Sequence, residues 1–148
     1  MRRAHSVAVV LSAGLLAGCA SLRPIHRFKD ALSPQEHLQL GLAYEKQGLP
    51  ADAEREYRAA CGPRQRDVMG LLALGNLQAS QSRFKDAEKT LARASHLAPS
   101  NAAACNNLAS VYAAEKKHLK RAEKLAQRAA KDDRFRPYAL DTLANVYI

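Results

Sequence analysis

Three groups of residues in this chain have chemistry to offer: the cysteines Cys19, Cys61 and Cys105, the histidines His5, His26, His37, His96 and His118, and the adjacent acids Asp132 and Asp133. A cysteine can act as nucleophile, metal ligand, disulfide partner or acyl acceptor, and its spacing to other groups decides among these. No two of the three cysteines have the paired spacing of a zinc site, and no His-Glu-x-x-His sets two imidazoles on one helix face. A Gly-x-Ser-x-Gly elbow and a phosphate-cradling glycine-rich loop are absent as well. His26, His37, His96 and His118 are scattered and read as surface or helix-end groups. Asp132-Asp133 suits a helix end, and Asp86 a first helical turn, where the helix dipole favours a carboxylate. The inventory points away from an enzyme, a metal and a cofactor. Cys19 is left as the residue whose surroundings call for chemistry.

Cys19 closes a segment of ordered character: Arg2 and Arg3, then an apolar stretch from Val7 to Leu16 broken by Ser12 and Gly14, then the small residues Ala17 and Gly18. A basic start followed by a short apolar run is the pattern of a secretory leader, and the run falls well short of the roughly 20 residues a spanning helix needs. Leu16-Ala17-Gly18-Cys19 resembles the lipobox of bacterial lipoproteins, in which the cysteine is diacylated and becomes the new N-terminus. On the residues alone, the alternative is an ordinary leader that ends near a cysteine. The resemblance implies a signal peptide over residues 1–18 and a lipid anchor at Cys19. The mature charge would be +7, because cleavage removes Arg2 and Arg3 and no acid from a chain of net charge +9. Two or more acyl chains attach a protein stably without a transmembrane helix. In that family an Asp after the cysteine signals inner-membrane retention; Ala20 and Ser21 stand here, which implies the outer membrane, facing the periplasm. Export also argues against nucleic acid as the partner of the basic charge.

The elements beyond Cys19 are helical. Ala and Leu dominate while aromatics make up only 5% of the chain and Trp is absent, a composition suited to close-packed helices rather than sheets. Residues 19–32 carry the anchor and a tether; residues 20–32 lack helical periodicity, contain Pro24, and could reach about 40 Å when extended. Ser33-Pro34-Gln35-Glu36 is a capping box with proline at the first helical position, so a helix starts at Pro34. It continues to Gly48, a residue suited to a left-handed C-cap. Pro50 then opens a second helix, which ends at Cys61-Gly62-Pro63.

Self-comparison gives the architecture. Leu40-Gly41 recurs as Leu74-Gly75, Ala53 as Ala87 and Ala60 as Ala94, each 34 residues on. A third unit reads Leu108, Ala109, Tyr112, Ala122 and Ala129 with one extra residue between its helices, and Leu143-Ala144 with Tyr147 begins a fourth. Together with Tyr44, Tyr57, Leu91 and Pro99, these positions resemble the tetratricopeptide repeat, whose period is 34 residues. The resemblance implies an all-α, right-handed solenoid over residues 34–148, with repeats at 34–67, 68–101 and 102–136 and a partial unit at 137–148. Gly41, Gly75, Ala109 and Ala144 would sit where the two helices of a hairpin approach closest, opposite Ala53, Ala87 and Ala122. Cys61 and Cys105 then fall on opposite sides of unit two, beyond the roughly 7 Å a disulfide allows, and are expected to be buried free thiols.

The family presents an inner groove lined by the first helix of each unit. By resemblance its positions fall on Leu38, Leu42 and Glu45, on Leu72, Asn76 and Ala79, and on Asn106, Ser110 and Ala113. The surface lacks the Lys/Arg pattern with which chaperone-binding relatives clamp a carboxylate; Asn76 and Asn106 could bond an extended peptide backbone. The expected role is a non-enzymatic, membrane-anchored adaptor for an envelope protein or peptide. The run Lys116-Lys117-His118-Leu119-Lys120-Arg121, with Lys124, Arg128 and Lys131, reads as a solvated outer face; the alternative is a binder of anionic envelope glycan or lipid. Ala139, Leu140, Leu143, Val146, Tyr147 and Ile148 leave the last helix largely apolar; a partner, a self-association contact or a chain shortened relative to a longer array would each account for it.

Overall fold

A computed structural model describes residues 31–148; the leader, Cys19 and nearly all of the tether lie outside the described residues. The helices are α1 (Pro34–Lys46), α2 (Pro50–Ala60), α3 (Val68–Ser80), α4 (Phe84–Leu97), α5 (Ala102–Ala114), α6 (Leu119–Ala129) and α7 (Arg136–Tyr147). Hairpins α1–α2, α3–α4 and α5–α6 stack in order, and α7 packs on both α5 and α6. The odd-numbered helices touch one another in one layer, and each even-numbered helix covers the joint between its partner and the next unit. This is the all-α repeat solenoid of three hairpins and a terminal helix expected from the sequence. No helix among the described residues is long and apolar enough to cross a membrane.

The period is written into both ends of the first helices. α1, α3, α5 and α7 start at Pro34, Val68, Ala102 and Arg136, each 34 residues after the last. Ser33, Asp67 and Asn101 precede the first three, and each side chain accepts the backbone N–H three residues on, satisfying one of the donors a helix start leaves open. Ser33 completes the capping box with Glu36, whose carboxylate accepts the Ser33 N–H at 2.7 Å. Phe135 before α7 supplies no side-chain cap. The exits repeat too: Gly48, Ser82 and Lys116 are left-handed, at φ of 72°, 59° and 50°. In each turn two N–H groups reach back, as from Gly48 to Glu45 and Leu49 to Tyr44, a Schellman end. Glycine takes this conformation without strain, whereas serine and lysine do not. The extra residue of unit three is accommodated in the same turn, where His118 is also left-handed and meets the Tyr112 ring edge-on at 5.1 Å.

Inside the first two hairpins a small residue admits a large one. A methyl on Gly41 would come within 2.5 Å of the Tyr57 ring, and one on Gly75 within 2.6 Å of Leu91. The corresponding pair in unit three is Ala109 with Ala126, both fully buried. Ala53, Ala87 and Ala122 are buried to the same degree. Ala144, the fourth position of the small series, has no paired second helix among the described residues and is exposed. Gly70 is tighter still, because a methyl there would lie 2.7 Å from the Cys61 backbone nitrogen and 2.8 Å from the Ala60 carbonyl carbon. That contact seats α3 against the end of α2.

Cys61 and Cys105 are both buried and unpaired. Burial pushes the Cys61 thiol up to about 11, and the Cys105 thiol donates to the Pro99 carbonyl at 3.3 Å. His37 departs from the surface or helix-end position expected of it: it is buried between α1 and α2 with Nδ1 at 2.9 Å from a carboxylate oxygen of buried Glu56. His96 and His118 are exposed, and His26 lies outside the described residues. Asp86 stands in the first turn of α4 as expected.

Polar ties join the units across the outer layer. Arg83 bonds both oxygens of Glu54, at 2.6 and 3.3 Å, and these bonds hold the Glu54 carboxyl below its ordinary range against its partial desolvation. Arg93 donates to the carbonyls of Gln65 and Arg64 at 2.7 Å each, and Arg128 repeats the tie to Pro99 at 3.3 Å. Exposed pairs of this kind contribute little each, so the stacking rests chiefly on the buried contacts. Gly70→Ala is therefore expected to destabilise the protein. Overpacking costs about 1–3 kcal/mol against about 1 kcal/mol gained in helix propensity, and a backbone neighbour cannot yield. Gly75→Ala should cost less, since it meets only the Leu91 side chain. Urea unfolding midpoints measure both, and a smaller loss for Gly70→Ala than for Gly75→Ala would contradict this ordering.

Candidate functional site

The odd-numbered helices enclose a groove of about 570 Å³. α1 contributes Gln35, Leu38, Gln39 and Leu42; α3 contributes Met69, Leu72, Ala73 and Asn76; α5 contributes Ala103, Asn106 and Asn107. Within each helix these follow the i, i+3, i+4, i+7 spacing of one face. Across the helices they fall in rows on the repeat: Gln35, Met69 and Ala103 form one, Leu38, Leu72 and Asn106 the next. Tyr138 continues the first row on α7, one residue late because of the insertion in unit three, and Phe135 stands beside it. Tyr57 reaches the groove from α2. Its hydroxyl donates to Glu45 at 2.7 Å, and desolvation together with that bond holds the phenol above its ordinary range.

Of the positions expected to line the groove, Leu38, Leu42, Leu72, Asn76 and Asn106 are brought together. Glu45, Ala79, Ser110 and Ala113 are not. Glu45 is occupied by Tyr57, and Ala79 packs partly buried against the core. Ser110 and Ala113 border a separate hollow with Thr142, Asn145 and Ile148. The groove thus lies about one turn nearer the starts of α1, α3 and α5 than the sequence suggested, around Met69 and Tyr138. Gln35, Gln39, Met69, Ala73, Ala103, Asn107, Phe135 and Tyr138 were not anticipated. The signal that could have found them is the same 34-residue register carried one turn toward each N-cap.

Apolar surface and uncharged amides share this groove. Leu42, Met69 and Tyr138 are 49%, 58% and 63% exposed, an open apolar concentration of the kind that marks interaction sites. Asn107 donates from Nδ2 to Asn76 Oδ1 at 2.7 Å, linking units two and three along the groove. Asn106 is buried, and its Oδ1 accepts from Thr142 at 3.1 Å, so what it offers a ligand is its amide nitrogen. No lining residue carries a formal charge at neutral pH. Amides supply both donors and acceptors for a peptide backbone, while the leucines, Met69 and Tyr138 can take apolar side chains. Among the described residues no three His, Cys, Asp or Glu side chains gather as metal ligands.

No protein-family model matches the chain, and no curated protein matches it in sequence. Solved structures do match in fold. The first TPR domain of Spaghetti (RPAP3), bound to the HSP90 peptide SRMEEVD, aligns with a TM-score of 0.70 at 18% identity over 78% of this chain and 90% of that one. The crystal structure of MamA aligns with a TM-score of 0.58 at 20% identity over 80% of this chain and 78% of that one. The fold is of the tetratricopeptide type.

The Asn106–Thr142 bond fastens α7 to α5 and so fixes the wall that carries Tyr138. Thr142→Val keeps the shape but leaves the buried Asn106 oxygen without its donor, an expected loss of about 1–3 kcal/mol. Adding Asn106→Leu should recover most of it, because removing both partners of a buried bond is close to neutral. Equilibrium unfolding of the single and double variants measures this; a double variant no more stable than Thr142→Val would refute the coupling.

Proposed function

We propose that the chain is a non-enzymatic adaptor that binds an extended segment of a partner protein in the groove between α1, α3, α5 and α7, and that a diacylated Cys19 holds it in the bacterial envelope. The observation that carries the binding reading is the groove itself, with exposed Leu42, Met69 and Tyr138 beside the Asn76–Asn107 amide pair. The structural neighbour that holds SRMEEVD has an acidic peptide as ligand. This groove has no Lys or Arg to meet such a peptide. Its chemistry fits a neutral or apolar segment, since an acidic one would lose its hydration without a cationic partner. The anchoring reading rests on the order basic, apolar, small, cysteine that ends at Cys19, and the envelope location follows from it. A site facing the periplasm at the outer membrane is the form of this reading that Ala20 and Ser21 favour.

Capture from envelope extract tests the binding reading. Wild type is expected to retain a stoichiometric protein, and Leu42→Glu/Met69→Glu, which alters two exposed side chains, is expected to retain at least tenfold less of it. Equal retention by the two would sink the groove as the site. Fractionation tests the anchor independently: wild type should stay with membranes in high salt, and Cys19→Ser should move to the soluble fraction. A Cys19→Ser protein that remains membrane-bound in high salt would overturn the lipid attachment.

A further inference from the structure

The outer face of α6 has a composition that the groove does not explain. Ala122, Leu125, Ala126 and Ala129 form its buried side. Lys120 and Lys124 stand on the opposite side, and exposed Lys131 follows just past the helix end. At 1.5 Å per residue the three span about 16 Å. The acids of this region are engaged elsewhere. Glu115 pairs with Lys117, Asp132 with Arg134 and Asp133 with Arg136, while Glu123 accepts from Tyr147 at 2.6 Å and from Gln127 at 3.2 Å. The arginines on α6 are also turned to the protein, Arg121 over the Tyr112 ring at 5.6 Å and Arg128 to the Pro99 carbonyl. What faces water is a row of lysines with no ion pair among the described residues.

We propose that this lysine row docks on an anionic bilayer surface and turns the groove away from the lipid. Lys120 and Lys124 lie on α6 and Lys131 just past its end, and the groove contains no α6 residue. Lys131 and Arg128 border an open hollow that Asp132 shares, so a discrete anion there would meet a carboxylate, and the guanidinium groups of Arg121 and Arg128 lie against Tyr112 and the Pro99 carbonyl. Lysines on flexible stems complement a diffuse negative surface, and guanidinium forks complement defined carboxylates and phosphates. Tyr147 lies beside the row through its bond to Glu123 and is 68% exposed, with Ile148 at 90%. An aromatic and an aliphatic side chain next to lysines is the composition that settles at a headgroup boundary. This contact does not depend on an acylated Cys19, and α1, α3 and α5 remain open to a peptide while it is made.

The test is co-sedimentation of the full chain with phosphatidylcholine vesicles, with and without 30% (roughly one lipid in three) phosphatidylglycerol, chosen so that lysines near the surface each add about 1 kcal/mol. Segment 1–30 is common to all the proteins compared. Lys120→Gln/Lys124→Gln/Lys131→Gln is expected to lose about 100-fold in partitioning to the anionic vesicles, at 1.4 kcal/mol per decade, with no change on neutral ones. The unfolding midpoint should stay at the wild-type value. Lys→Glu at the same positions should lose at least as much and serves if the first variant folds poorly, while Leu42→Glu, on the groove, should bind as wild type. Partitioning of the lysine variants within threefold of wild type overturns the proposal. So does lysine-dependent binding to soluble dextran sulfate that is tighter than binding to the vesicles, which would assign the row to an anionic polymer.

Discussion

The structure depends on how closely the two helices of each hairpin can approach. Gly41 lets the Tyr57 ring lie against α1, and Gly75 does the same for Leu91 against α3. In unit three the repeat register puts alanines at both positions, Ala109 and Ala126, each fully buried. The volume at the contact is kept small by trading a large residue on one helix for none on the other. Interiors packed to crystal density leave no alternative, since an extra methyl must displace something. Once the hairpin angle is set, the second contact follows: Gly70 brings α3 onto the Ala60–Cys61 backbone, so the second unit seats on the end of the first. A single hairpin buries too little apolar surface to fold alone, and these two contacts turn separate hairpins into one continuous core.

That geometry also produces the groove. Stacking at a constant period aligns the first helices, so residues 34 apart become neighbours in space. Gln35, Met69 and Ala103 share a row although nothing in their chemistry is alike. The scaffold determines where a side chain will point, and the side chain is then free to vary, which is why helical arrays serve as general recognition surfaces. Here the rows have been filled with apolar groups and amides, and the wall is finished by α7, held through the buried Thr142–Asn106 bond. A buried polar pair of this kind fixes orientation more than it adds stability.

Much of this was legible in the sequence, and for a physical reason. Helix starts, close contacts and period are each enforced at one or two positions by sterics or hydrogen bonding, so they leave single-residue marks: Ser33 and Glu36, Gly48, the Gly41–Gly75 pair, the insertion before Ala122. Asp67 and Asn101 carry the same mark as Ser33 and complete the series of caps. The groove was half legible. Leu38, Leu42, Leu72, Asn76 and Asn106 were on the right helices, but how far along α1, α3 and α5 the hollow opens depends on the packing of the whole stack. Ser110 and Ala113 were displaced into the hollow beside Thr142 for that reason. His37 was misjudged because its partner Glu56 lies on the facing helix, where only the fold brings it near.

The distribution of charge bears on how two faces of one small array can act separately. In the first and second units cations are drawn into structural ties, Arg83 to Glu54 and Arg93 to the Gln65 carbonyl. In the third unit Glu115, Asp132 and Asp133 pair with Lys117, Arg134 and Arg136 and Glu123 accepts from the neutral Tyr147 and Gln127, so Lys120, Lys124 and Lys131 face solvent with no ion pair among the described residues. The groove, lined by neutral residues, lies on the other side of the α5–α6 pair. At physiological ionic strength a field decays over about 8 Å, less than the thickness of two packed helices at about 8–10 Å between axes plus their side chains. The lysine row therefore exerts little pull within the groove, which presents apolar surface and amides while the outer face presents charge.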